Sequence, residues 1–186
     1  MKKTASLRIT GGSLCGRRVQ VPDGIIRPAM DQMRESVFAC LGDLAGKSFL
    51  DMFSGSGIIA LEAASRGADT IEAVENDPLK RKTLLQNVAI APVRIQCRFI
   101  SAERYVQRAR RFFTVIFLDP PFPYQYKWEL TARIAASSLV SDETIILLHR
   151  PRQDFQKDAI AALEKYDSRE YGRSIVDFFK TAPQTK

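Results

Sequence analysis

The sequence predicts an α/β fold: a mostly parallel sheet with helices on both faces, a C-terminal antiparallel hairpin, and a small N-terminal β-hairpin and helix ahead of it. Three observations carry that prediction. From Ser48 onward, short apolar runs of strand length alternate with stretches of helical spacing. Near the end, residues 166–171 and 174–180 flank Gly172 in the manner of two strands and a turn. The chain has 186 residues, 45% hydrophobic and 26% charged, a length and composition suited to one compact globular domain.

Taken in order, residues 7–9, a turn at Gly11-Gly12 and residues 17–21 with alternating Val19 and Val21 read as a short hairpin ending at Pro22-Asp23-Gly24. A helix follows, with Asp31 as its N-cap and Met33, Val37, Phe38 and Leu41 at helical spacing. Gly42 to Lys47 is the one loose stretch, so residues 1–46 are expected to form an extension and residues 47–186 the main domain. Strands are expected at 48–52, 70–75, 93–99, 115–119 and 144–149, with helices at 57–66, 78–90, 102–111 and 127–139 between them. Residues 155–165 read as a further helix before the hairpin.

Charge and composition narrow the function classes. No apolar run approaches the roughly 20 residues that span a bilayer, and Arg8 and Gly11-Gly12 stand where a signal peptide needs its apolar stretch, so a cytoplasmic protein is expected. Cys15, Cys40 and Cys97 are far apart and form no CxxC pair; free buried thiols are expected, with neither a disulfide framework nor a metal site. The net charge is +7, concentrated in two segments. Residues 94–111 carry six arginines against Glu103, as fitting for a solvated surface as for a binding face. The front of the chain, with Arg17, Arg18, Arg27 and Arg34, reads as a nucleic-acid arm.

Ligands of parallel sheets sit beyond the carboxyl ends of the strands, and three strand-to-loop junctions stand out. In Asp51-Met52-Phe53-Ser54-Gly55-Ser56-Gly57 a strand runs into a Gly-rich turn that opens a helix. Glycine there lets backbone N–H groups approach a ligand, while Asp51 would repel a pyrophosphate and suits an amino group or another cation. In Ala73-Val74-Glu75-Asn76-Asp77, Glu75 ends a strand where a carboxylate can accept both hydroxyls of a ribose, since Asp77 before Pro78 already serves as helix cap. In Asp119-Pro120-Pro121-Phe122 two prolines remove two N–H donors, leaving carbonyl oxygens and a carboxylate beside an aromatic ring. An acceptor-only patch of that kind grips the hydrogens of an exocyclic amine, and Phe122 can stack on the base that carries it.

Together DMFSGSG, VEND and DPPF, in this order and spacing, resemble the S-adenosylmethionine-dependent amino-methyltransferases with a [D/N]PP[Y/F] motif. The front end narrows the likeness: Gly12, Gly16-Arg17, Arg27-Pro28, Asp31, Arg34-Glu35 and Phe38, with Leu61-Glu62-Ala63, 65–68 and Tyr171-Gly172, are similar to the RsmD family, over residues 7–179. That resemblance implies a Rossmann-like, seven-stranded class I methyltransferase sheet, S-adenosyl-L-methionine as cofactor, and methylation of a guanine N2 in 16S ribosomal RNA, guanine-966 by the likeness. It implies that Asp51, Phe53, Gly55, Gly57, Glu75 and Asn76 hold the cofactor, and that Asp119, Pro120, Pro121 and Phe122 line the base pocket. Ser101 and Ala102 stand where the family tends to carry Asp or Asn against the adenine, so they are expected to hold the cofactor through backbone and apolar contacts; His149-Arg150 stand where it more often carries an acid, and His149 is expected to be structural or peripheral rather than a base. A monomer acting on a small-subunit assembly particle is expected. N6-adenine methylation of RNA or DNA, and a catalytically silent RNA-binding assembly factor, remain open alternatives. A nicotinamide oxidoreductase is disfavoured by the missing third glycine of a GxGxxG turn.

Overall fold

The computed structural model describes residues 6–21 and 30–182. Pro22-Asp23-Gly24, Arg27 and Pro28 lie outside the described residues, as do Lys2 and Lys3. A two-stranded antiparallel hairpin, β1 (Ser6–Arg8) and β2 (Arg18–Gln20), opens the chain, followed by α1 (Met30–Leu41). Asp31 sits inside the first turn of α1 and not at its cap, where its carboxylate meets Arg34 at 2.6 Å and Arg8 at 3.8 Å.

The central sheet then forms from β3 (Ser48–Met52), β4 (Thr70–Val74), β5 (Ile95–Arg98), β6 (Val115–Leu118) and β7 (Ile145–Pro151), all parallel. Helices α2 (Ile58–Ser65), α3 (Arg81–Val88, preceded by a 3-10 turn at Pro78–Lys80), α4 (Ala102–Arg108) and α5 (Lys127–Ala135) connect them. Two long strands, β9 (Leu163–Tyr171) and β10 (Ser174–Thr181), add antiparallel at the β7 edge, and the two-residue β8 (Ala159–Ile160) pairs with β9. The spatial order is β5-β4-β3-β6-β7-β10-β9-β8. The chain winds outward one way from β3 and the other way from β6, so the crevice of the sheet opens between the carboxyl ends of β3 and β6.

Alternation along the strands builds two cores. Phe49, Val115, Phe117 and Leu147 face one side with α1 and α2, while Leu50, Ile116, Leu118 and Leu148 face the other with α4 and α5. Every residue of α2 is buried, since the N-terminal hairpin and α1 cover the face that the sheet does not. The hairpin docks through its turn: Ser13 N–H donates to the Ser65 carbonyl at 2.7 Å, Leu14 N–H to Ser65 Oγ at 2.8 Å, and that hydroxyl to the Gly11 carbonyl at 2.5 Å. Gly12 makes the approach possible, with φ of 75° and a Cβ position that would lie 1.9 Å from the Ser65 carbonyl oxygen.

The five parallel strands and four connecting helices form where the sequence predicts them. Residues 155–165 do not form a helix. They hold β8, a turn with Ala161 at φ 53°, and the start of β9. Their helix-forming composition yields to pairing, because Leu163, Glu164 and Lys165 supply the hydrogen-bonding partners of Thr181, Lys180 and Phe179 on β10. This extension also gives the sheet its eighth, two-residue strand. The three cysteines are free, but Cys15 and Cys40 are exposed and Cys97 is partly exposed, so the expected burial of all three is corrected. Among the described residues no helix is long and apolar enough to cross a membrane.

Candidate active site

A cavity of about 290 Å³ opens at the β3/β6 crevice, lined by Asp51, Phe53, Ser54, Gly55, Ser56, Glu75, Lys80 and Asp119 to Pro123, with Leu7 and Val21 of the N-terminal segment and Ile58 and Ile59 of α2. It brings Asp51, Phe53, Gly55, Glu75, Asp119, Pro120, Pro121 and Phe122 together, from three junctions spread over 72 positions of sequence.

At the end of β3 the backbone turns sharply. Phe53 adopts φ 63°, a left-handed conformation that a side chain disfavours and that clusters at ligand sites. Ser54 N–H donates to the Val74 carbonyl at 2.9 Å and Gly57 N–H to the Ser54 carbonyl at 2.8 Å, which closes the turn. Gly57, at φ 80°, starts α2 behind the cavity wall; a Cβ there would meet Leu84 Cδ1 at 2.7 Å. Asp51 is only 1% exposed. Its Oδ2 accepts Ser54 Oγ–H at 2.6 Å and Ala60 N–H at 3.1 Å, while its Oδ1 has no partner among the described residues. Burial pushes the Asp51 carboxyl up to about 7, and the nearby Asp119 and Glu75 carboxylates add to the rise.

Glu75 directly follows β4 with both oxygens engaged: Oε2 accepts Gly55 N–H and Oε1 accepts Asp77 N–H, each at 2.8 Å. The carboxylate is therefore held in place by backbone, with lone pairs left for a further donor. Asp77 caps the 3-10 turn by accepting Leu79 N–H at 2.9 Å, as its place before Pro78 predicts. Lys80 Nζ lies 3.7 Å from Glu75 and 3.9 Å from Asp77; nothing in the sequence singled it out, since it reads as one lysine on a polar helix.

After β6, the prolines shape an acceptor wall. Tyr124 N–H donates to the Pro121 carbonyl at 2.8 Å, which leaves the Pro120 carbonyl and the Asp119 carboxylate as acceptors beside the cavity. Asp119 Oδ1 lies 2.7 Å from His149 Nδ1, and the Phe122 ring meets the His149 ring edge-on with centroids 5.7 Å apart. Phe53 packs on Tyr124 at 5.3 Å between centroids, which braces the two loops against each other, and the Tyr124 hydroxyl bonds Glu103 of α4. Burial and the Glu103 carboxylate hold the Tyr124 hydroxyl well above the usual range for a phenol.

Some expected site residues stand elsewhere. Asn76 is exposed and does not line the cavity. Ser101 caps α4 by accepting Arg104 N–H at 3.3 Å, and Ala102 is buried in the helix, so neither lines the cavity. Arg34, expected to face RNA, is fully buried: Nε donates to Glu62 at 2.9 Å, and Nη2 to the Arg8 carbonyl at 2.7 Å and to Asp31 at 2.6 Å. A guanidinium with no exposed surface, held by three intramolecular acceptors, is not presented to a phosphate. Arg17 and Arg18 are exposed on the hairpin. Within the second basic segment, Arg98 is paired with Glu72 at 2.8 Å and Arg111 stacks on Phe113 at 5.2 Å.

Comparison with known proteins agrees with this geometry. The family model described as "Conserved hypothetical protein 95" matches residues 7–180. The "Ribosomal RNA small subunit methyltransferase D" of Escherichia coli (strain K12) is 30% identical over 147 residues, covering 77% of this chain and 74% of that protein. Among solved structures, yhhF of Escherichia coli superposes with a TM-score of 0.86 at 26% identity over 97% of this chain and all of that one. A hypothetical protein of Thermus thermophilus, TTHA0928, gives a TM-score of 0.79 at 28% identity, covering 92% and 98% of the two chains. With the family model spanning nearly the whole chain and the DPPF wall facing the Gly-rich turn across one cavity, the chain belongs to this family, the RsmD family.

Proposed function

We propose that this protein transfers a methyl group from S-adenosylmethionine to the exocyclic N2 of a guanine in small-subunit ribosomal RNA. The observation that carries the reading is the single cavity in which an acceptor-only wall, Asp119 and the Pro120 carbonyl with Phe122 beside them, faces the Gly55 turn, Asp51 and Glu75. The residues fit the cofactor. Asp51 keeps one buried oxygen without a donor, a place for the ammonium of a methionine end. Glu75, fixed by two backbone N–H groups, offers its remaining lone pairs to ribose hydroxyls. Phe53 and Gly55 border the same end. When bound, S-adenosylmethionine supplies an electrophilic methyl group on a sulfonium centre.

The chain's own contribution is to position the acceptor. An aromatic amine is a weak nucleophile because its lone pair is delocalised into the ring; two acceptors that hold its hydrogens favour the pyramidal geometry in which the lone pair is available. Asp119 and the Pro120 carbonyl are those acceptors, Pro121 stiffens the loop, and Phe122 stacks on the base. Alignment accounts for most of the rate, since the proton leaves after the new N–C bond has formed. Residues 1–46 act as the RNA-facing extension of a methyltransferase domain at 47–186, with Arg17, Arg18 and Arg27 on phosphates. The protein works as a cytoplasmic monomer on an assembling small-subunit particle, with the base turned out of its helix.

The test is transfer of labelled methyl groups to small-subunit particles from cells that lack this modification, followed by nucleoside analysis. N2-methylguanine is the expected product. N6-methyladenine would move the reading to the other amine, and no transfer by a protein that binds the cofactor normally would leave an RNA-binding assembly factor.

A further inference from the structure

We propose that His149 is a positioning residue for the methyl acceptor, fixing the Asp119 carboxylate by donating a hydrogen bond from Nδ1. The inference rests on the reading of Asp119 as the group that holds the amine. His149 lies one residue beyond the Leu118–Leu148 pairing of β6 and β7, so parallel register sets it directly beside Asp119. Its side chain is 2% exposed, against 20% for Asp119, and Nδ1 stands 2.7 Å from Oδ1. It reaches this carboxylate directly, from a neighbouring strand 30 positions along the chain. The His149 ring also meets the Phe122 ring edge-on, so one buried side chain touches both ends of the DPPF loop.

In this proposal Nδ1 carries the hydrogen. If Nδ1 lacked it, a lone pair would face a carboxylate oxygen at 2.7 Å, which is repulsive unless the acid were protonated. With Nδ1–H, the bond is made and the cost moves to Nε2, which is buried and has no partner among the described residues. A carboxylate turns easily about its last torsion. A donor on Oδ1 locks its plane and commits Oδ2 to the amine, which is the alignment that transfer requires. Where an acidic residue would push Asp119 away, a histidine holds it.

His149 is the only histidine of the chain, so histidine-selective 15N labelling gives a single imidazole to observe. In the free protein Nδ1 should carry the proton, and Asp119→Ala should shift that resonance. A tautomer with hydrogen on Nε2 alone would overturn the proposal without any appeal to substrate. In turnover, His149→Leu should lower kcat by about 10–100-fold while cofactor affinity stays within about twofold of wild type. His149→Asn, whose amide nitrogen can occupy the Nδ1 position, should recover most of that loss. Equal impairment of the Leu and Asn variants would mean packing only, and wild-type kcat in His149→Leu would mean no role. If the wild-type protein methylates no ribosomal RNA, the function fails while the NMR result still decides the Asp119–His149 bond.

Discussion

Glu62 and Asp51 are both buried carboxylates on the two elements that meet at the Gly-rich turn, yet their surroundings are opposite. Glu62, fully buried on α2, accepts from Thr10 N–H at 2.9 Å, Thr10 Oγ1–H at 3.0 Å, Arg34 Nε at 2.9 Å, and Arg66 as well. Asp51 accepts two hydrogen bonds, meets no cation, and keeps one oxygen without a partner among the described residues. One carboxylate is closed and ties the N-terminal hairpin and α1 to the domain. The other is left open toward a cavity. Burial alone therefore says little about what a charge does; the number of donors it finds separates a structural tie from a binding group.

The largest expected effect comes from breaking the closed site. Glu62→Leu removes the buried carboxylate that Arg34 and Arg66 share and leaves Arg34 with Asp31 as its remaining carboxylate, a change that costs about 3–5 kcal/mol. For a chain of this length the melting temperature should fall by roughly 10 °C. Thermal unfolding followed by circular dichroism reads it directly, and a loss below about 1 kcal/mol would show that the tie is ornamental. Removing both charges, with Arg34→Leu in the same chain, should restore part of the stability, because the fully buried guanidinium is then gone and only the partly exposed Arg66 lacks its carboxylate.

The open site should respond to pH instead. Asp51 titrates near the ordinary 3.8 when unfolded and near 7 when folded, so between those values the native state binds the extra proton. Stability therefore falls as pH rises from about 4 to 7, by up to about 4 kcal/mol, and Asp51→Asn should flatten that part of the curve. A ligand that brings an ammonium to Asp51 reverses the trend for binding: S-adenosylhomocysteine should bind about tenfold more tightly at pH 7.5 than at pH 5.5. Calorimetric titration at the two values tests it. An affinity equally flat in wild type and Asp51→Asn would place the amine elsewhere.

The same contrast explains what the sequence revealed. Asp51, Glu75 and Asp119 are legible because each lies within two residues of the end of an apolar strand that runs into a turn, and parallel topology brings strand ends together. Glu62 and Arg34 were not, because their partnership spans 28 positions and depends on how α1 lies across α2; read along the chain, Arg34 is one more basic residue in a basic segment. His149 was visible as a departure from its family, but its bond to Asp119 comes from strand register across 30 positions. Residues 155–165 misled for a related reason: their composition favours a helix, and only the unpaired edge of β10 makes them strands.

The smallest effect separates arginines that hold the hairpin from those that reach out of it. Arg18 is exposed but donates to Ser6 Oγ at 2.8 Å, stitching β2 to β1, whereas the Arg17 guanidinium has no bonded partner among the described residues. If Arg17 meets a phosphate, Arg17→Gln should leave the melting temperature and cofactor affinity unchanged and weaken RNA binding less than tenfold. The dependence of log affinity on log salt should lose roughly 0.7–0.9 of its slope, the share of one neutralised phosphate. Filter binding to small-subunit ribosomal RNA across a salt series measures that slope. Arg18→Gln, by contrast, should also lower stability slightly, because it removes a hairpin contact together with a charge. An unchanged slope in Arg17→Gln would turn the hairpin from an RNA-facing arm into a cover for α2, the role its buried Leu7 and Val19 already fill.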